Sequence, residues 1–272
     1  MFLRYVKVDL TLTVVAALAG AASIEGQKAK LGLAIVSGLL MFAAILVSST
    51  LKGSSFVRDW YDGRAVAESV KTTTWRYVMG AEPFGLADPV VEVEKRFLDR
   101  LSATLNETVG LAKSLASDAL TGPPITEAMK ELRGKSLMER KLVYVDERVS
   151  NQQAWYAKKA KINQDRQGQW FSAVIAAQCF AMIWAFAMVA VPDLKLNLTG
   201  VFAALAAAFL AWLQLKQHQT LAESYTLAAV ELGNIKSLAA HIQDEIEFTQ
   251  YVIDAEMAMS REHTMWIARR TG

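Results

Sequence analysis

Between positions 170 and 215 the chain reads WFSAVIAAQCFAMIWAFAMVAVPDLKLNLTGVFAALAAAFLAWLQL, from Trp170 to Leu215. Two charge-free runs, 170–191 and 196–215, are joined by a short link holding Asp193 and Lys195. A hydrocarbon core about 30 Å thick takes roughly 20 helical residues to cross, and each run meets that length. Two spans on a link this short form a helical hairpin.

Working outward, residues 31–51 are a third charge-free run of that length. The stretch 10–24 is shorter and carries Thr11, Thr13 and Ser23. It reads as a fourth span because the next follows after only the link 25–30, and because no small-residue cleavage site precedes a soluble segment. Composition agrees with helix throughout: 53% of the 272 residues are hydrophobic, with only 5 Pro and 15 Gly. The expected fold is an all-α membrane protein with two transmembrane hairpins, each extended by charged helices.

Basic residues stay on the cytoplasmic side of spans. Arg4, Lys7, Lys52, Arg58, Lys158, Lys159, Lys161, Arg166 and Lys216 flank one side, against Lys28, Lys30 and Lys195 on the other. A multi-pass inner-membrane protein with both termini cytoplasmic follows, with residues 52–169 and 216–272 as its cytoplasmic body. The net charge is only +2, from 29 basic and 27 acidic residues, so no global field draws in a nucleic acid polymer. Cys179, the single cysteine, excludes an intramolecular disulfide and a cysteine zinc site, and it fits a reducing compartment.

Within the spans, Ala173, Ala177, Ala181 and Ala185, and likewise Ala203, Ala207 and Ala211, recur at every fourth position. Such stripes let helices approach closely in lipid, though alanine is abundant everywhere in this chain. Gln178 stands out as a polar side chain near the middle of its span, and it is expected to be buried. Its amide needs a partner, on a neighbouring helix or in a polar lumen.

Outside the membrane, residues 56–79 read as a helix ended by Gly80, Pro83, Gly85 and Pro89. Trp60, Arg64, Glu68, Lys71 and Trp75 recur at helical spacing, which puts them on one face with Glu68 between two cations. A second helical pattern, 91–120, stops at Gly122-Pro123-Pro124. That breaker divides the chain into 1–124 and 125–272, each a two-span hairpin with helical extensions. From 125 the helical pattern runs toward Trp170 without a predicted break, and the last span continues similarly into 217–270. Ala67-Glu68-Ser69 after the first hairpin returns as Ala222-Glu223-Ser224 after the second, agreeing with a duplicated plan.

Three stretches carry a resemblance to a known family. They are Trp60-Tyr61-Asp62-Gly63-Arg64-Ala65-Val66-Ala67-Glu68-Ser69-Val70-Lys71 with Trp75-Arg76-Tyr77; Arg148-Val149 with Gln152, Trp155-Tyr156 and Lys159-Ala160; and Ser260-Arg261-Glu262-His263-Thr264-Met265-Trp266. Together they resemble a tandem of two SLATT modules, two-transmembrane effector domains associated with bacterial nucleotide-signalling and defence loci. The resemblance implies a membrane effector that forms an oligomeric pore or disrupts the bilayer in antiviral defence. No fused sensor or nucleotide-generating domain is expected beside these modules. A trigger is therefore expected from a separate cytoplasmic protein or a nucleotide signal.

No phosphate loop, nucleophile elbow or zinc-protease helix is present, so no enzyme and no cofactor are expected. His218, His241 and His263 lack metal-ligand spacing, and Glu262-His263 reads as a helix-end pair before acid–base machinery. Glu68 and Glu223, each past a span, are candidates for an acidic ring in a homo-oligomer. For Glu68, pairing with Arg64 and Lys71 is the simpler reading. Trp60, Trp155, Tyr156, Trp170 and Trp212 read as interface anchors. Lys158, Lys159, Lys161 and Arg166 are candidate contacts to anionic lipid headgroups, or merely set topology. The competing function is a non-conducting membrane scaffold that recruits a cytoplasmic partner.

Overall fold

A computed structural model describes residues 2–21, 27–52, 56–106, 122–191, 194 and 196–271; of these, the side chains of 27, 51–62, 105 and 261–271 lie outside the description. The described residues contain helices and no strand. In chain order they are α1 (Phe2–Ala21), α2 (Gln27–Lys52), α3 (Phe56–Met79), α4 (Val90–Asn106), α5 (Glu127–Arg133), α6 (Leu137–Val143), a π-helical segment (Tyr144–Ser150), α7 (Asn151–Ala190), α8 (Thr199–Lys216), α9 (His218–Leu238) and α10 (Glu245–Thr271). The chain forms two compact units, each drawing on both halves of the sequence.

The first unit comprises residues 1–57 and 162–221. Helix α1 packs on α2, where the Ser37 hydroxyl donates to the Ala16 carbonyl at 2.9 Å and Ser48 donates to Asp9 at 2.9 Å. It also packs on α8, with the Lys7 ammonium 5.3 Å from the Trp212 ring. Helices α7 and α8 meet through Trp170 with Phe209 and Trp212, and through Phe180 stacked on Phe202. Around these contacts the outer faces are apolar and bare: Leu31, Leu39, Phe42 and Ile45 on α2, and Phe171, Ile175, Phe186 and Val189 on α7, are all exposed. In water this surface would be a severe liability; in hydrocarbon it is the expected exterior.

Three helices are long and apolar enough to cross a membrane: Lys28–Thr50, Leu137–Ala190 and Thr199–His241. Helix α1 falls short because Arg4, Lys7 and Asp9 occupy its first half and leave a shorter apolar remainder. The helix entering the third predicted span is far longer than a bilayer is thick. Its charge-free part, 170–191, lies in the first unit together with 162–169, and residues 137–161 belong to the second.

That second unit comprises residues 58–161 and 222–272. Its core is apolar and aromatic, with Tyr77, Phe84 and Phe97 in mutual ring contact and Val252, Ala255 and Phe248 fully buried. Burying one such side chain contributes about 1.5–3 kcal/mol. The predicted unbroken helix from 125 to 170 is interrupted. Thr126 caps α5, Gly134 ends it, and Ser136 with Glu139 forms a capping box that restarts the helix as α6. These side chains satisfy terminal N–H groups that a longer helix would have bonded internally, so the local sequence selects two helices. Gln217, in the left-handed region at φ 49°, separates α8 from α9. A short 3₁₀ helix, Ala239–His241, and the extended Ile242 precede α10, so the predicted continuation through 217–270 is also divided.

Candidate functional site

Helix α3 ends where Gly80, at φ +72°, turns the chain out of the helix. The last carbonyls of a helix have no internal partner and carry partial negative charge. Two arginines from beyond α4 meet them. Arg140, only 1% exposed, donates from Nη1 to the Met79 carbonyl at 2.6 Å, from Nε to the Lys135 carbonyl at 3.2 Å, and from Nη2 to Glu245. Arg133 donates to the carbonyls of Tyr77 and of Gly85, the latter at 2.9 Å, and lies 5.0 Å from the Tyr77 ring. Burial lowers the Arg133 pKa, opposed by the neighbouring Tyr77.

Two turns further along the same face lies a buried ion pair. Arg148 and Glu256 are 5% and 1% exposed. Arg148 Nε donates to Glu256 Oε1 at 2.9 Å and Nη2 donates to Oε2 at 2.8 Å, a two-pronged contact. The Tyr144 hydroxyl donates to Oε1 at 3.0 Å and the Thr72 hydroxyl to Oε2 at 2.8 Å. The carboxylate thus accepts four hydrogen bonds, all that its two oxygens accommodate. Burial opposes the charge on Arg148, but the hydrogen bonds and charge of Glu256 outweigh it and raise the arginine's pKa. Burial followed by the adjacent Glu256 charge pushes the Tyr144 hydroxyl well above its ordinary range.

The π-helical segment makes this placement. A wider turn of about 4.4 residues keeps Arg140, Tyr144 and Arg148, spaced by four, on one side, and the Ser150 side-chain hydroxyl donates to the Val145 carbonyl at 2.7 Å. From Val149 within it the buried seam continues through Tyr156, Ala160 and Asn163 on α7. A carboxylate so saturated has no lone pair left for a metal or for proton transfer to a substrate. What it does is fasten α3, the π segment and α10 together. Against it stand Trp75, 5.7 Å from Tyr144, and Tyr251, whose buried hydroxyl finds no partner among the described residues and whose pKa is pushed up to about 12 by that burial.

A family model described as "SMODS and SLOG-associating 2TM effector domain 3" matches residues 1–141, and "SMODS and SLOG-associating 2TM effector domain 1" matches residues 144–266. The chain belongs to the SLATT family. It is a tandem SLATT protein, with two such domains covering nearly its whole length. No curated protein and no solved structure matches it.

The SLATT chain's predicted residues fall in several places. Lys71 pairs with Glu68 at 3.4 Å, while the Arg64 guanidinium lies 5.6 Å from the Trp155 ring. With Trp75 on Tyr144, this α3 face packs toward the helix that leads into the membrane. Trp60 lies outside the described side chains, as do Glu262 and His263. Glu223 is exposed on α9 and has an interaction partner. Lys158, Lys161 and Arg166 are exposed on α7, Lys159 lies 5.6 Å from the Trp155 ring, and Arg166 donates to Gln169 at 3.4 Å. Trp170 and Trp212 are in ring contact, with the Lys7 and Lys216 ammonium groups against the Trp212 ring. Trp155 and Tyr156, expected as anchors, form a ring cluster with Tyr225 inside the second unit, Tyr156 being 2% exposed. Gln178, expected to be buried, is exposed, while Val174 and Ala177 beside it face inward.

Thr72, Arg140, Tyr144 and Glu256 were not singled out as site residues in the sequence reading, and Arg148 entered only through the family resemblance. Two signals were available. Glu256 sits among Val252, Ala255 and Met259 at core spacing, and Arg140, Tyr144 and Arg148 repeat every fourth position.

Proposed function

We propose that this SLATT protein is a non-enzymatic membrane effector whose hairpins assemble from several copies into a pore or a bilayer-disrupting lesion, serving bacterial defence or nucleotide-linked signalling. The observation that carries this is the match to two-transmembrane effector domains over both halves of a chain with long, bare apolar helix faces. In this reading α1 with α2, and the charge-free part of α7 with α8, are two hairpins of an inner-membrane protein with both termini cytoplasmic. The second unit lies in the cytoplasm and receives the trigger from a separate sensor or a nucleotide. Four slender helices enclose too little space for an aqueous path, so conduction takes more than one chain.

Reconstitution into liposomes loaded with a fluorescent ion reporter tests the proposal. Release on activation, rising more steeply than linearly with protein-to-lipid ratio, is the expected result. Intact vesicles under every trigger, with insertion verified by protease protection, would overturn it.

A further inference from the structure

Helix α7 carries tryptophans at two levels of its membrane segment. Trp170 packs on Trp212, beneath the cations Lys7 and Lys216. Trp184 donates its indole N–H to the Leu196 carbonyl at 3.0 Å, at the mouth of the link to α8. Gln178 lies eight residues past the first and six before the second, about 12 Å and 9 Å along the axis, and therefore near mid-depth. Its side chain is exposed and makes no hydrogen bond to any described residue. Ile175, Met182 and Cys179, also exposed, share a sector of α7 about 100° wide with it.

An amide facing hydrocarbon with no partner costs several kcal/mol, so something must cover it. The rest of the sector says what. Phe171, Ile175, Met182 and Phe186 on this side are bulky and apolar, unsuited to lining water. A primary amide is also its own complement, offering one carbonyl acceptor and one NH₂ donor. Two copies related by an axis along the membrane normal bring each residue of the sector opposite itself at the same depth. We propose that this face of α7 is a contact with a second copy of the same chain, closed by a reciprocal Gln178–Gln178 hydrogen bond. The contact deepens the oligomeric reading above and rests on it only in requiring more than one copy.

Cys179, the sole cysteine, lies in the contact sector and serves as the probe. In membranes holding the full chain, copper-phenanthroline oxidation is expected to yield a disulfide-linked dimer that C179A abolishes. Q178L is expected to reduce the dimer yield about three- to tenfold, the range for one interhelical hydrogen bond in lipid. Cysteines placed at Ile175 or Met182 in the C179A chain should restore the cross-link, and one at Ala173, on the opposite side of the helix, should not. Failure of all three sector positions to cross-link, or an unchanged yield in Q178L, would overturn the contact. So would rapid labelling of Cys179 by a membrane-impermeant thiol reagent, which would place the face on a water-filled lumen. A dimer that forms in vesicles that never leak keeps this contact and removes the pore reading instead.

Discussion

Glu256 is held by four donors from two segments, α3 and the π-helical segment, and each bond offsets part of the cost of keeping a charge in the core. Removing one partner of a buried pair strands the other. E256A and R148A are each expected to destabilise the protein by about 3–5 kcal/mol, whereas R148M/E256L, which replaces both charges with apolar side chains, should recover most of that loss. Thermal unfolding in detergent, followed by tryptophan fluorescence, checks the order; a double variant as weak as the singles would refute the account. Tyr251 makes the opposite case. Its hydroxyl is buried without a partner among the described residues, so Y251F is expected to be neutral or about 1 kcal/mol stabilising near pH 8. Because the folded pKa, about 12, exceeds the unfolded value near 10, the stability held by the neutral phenol is complete below pH 10 and lost as pH rises toward 12. Melting across that window should fall more steeply for wild type than for Y251F. Half of this chemistry was legible in the sequence: a glutamate on an apolar stripe must have a partner, but which arginine, 108 positions away, is a fact of tertiary packing.

Helix boundaries follow the same division. The four spans were expected from hydropathy, and three of the helices meet the length and composition for crossing, since a charge-free run of about 20 residues is a local property. The end of α3 was also legible, from Gly80 and the prolines that follow. The division between α5 and α6 was missed although Thr126, Gly134 and Ser136 with Glu139 spell it, because apolar periodicity continues across the caps and masks them. The π segment left no signal beyond the fourfold spacing that it preserves. Gly80 permits a direct test of how much the α3 terminus depends on its backbone. A β-carbon there would lie 2.6 Å from Leu86 Cγ, but Leu86 is exposed and free to turn aside, so the left-handed φ of +72° dominates. G80A is expected to lose about 1–2 kcal/mol, and the added L86A change should return little of it. Denaturant midpoints of the single and double variants decide this, a full recovery in the double marking a steric origin.

At the scale of the whole molecule, the two SLATT domains meet between positions 141 and 144, yet the second unit does not divide there. Thr72 from the first domain bonds Glu256 of the second, Arg140 of the first reaches Glu245 of the second, and Tyr144 packs on Trp75. The duplicated plan visible in the sequence is therefore a repeat of order along the chain whose two copies share one core, because neither set of helices covers its own apolar face. Separating the halves removes this shared burial. Residues 1–141 expressed alone would present the α3 face bearing Thr72 and Trp75, and residues 144–272 alone would leave Arg148 and Glu256 without α3 above them. Each half is expected to be degraded or aggregated when made singly, and the two to copurify as a protease-resistant complex when made together. Loss of Thr72 is a milder version of the same cut: T72V should weaken the association of the co-expressed halves without abolishing it, since the Arg148–Glu256 pair stays intact within the second half. Limited proteolysis and tag-based copurification report the outcome. Halves that resist protease separately and do not bind each other would show the domains to be independent, and would leave the buried pair with a role confined to the second.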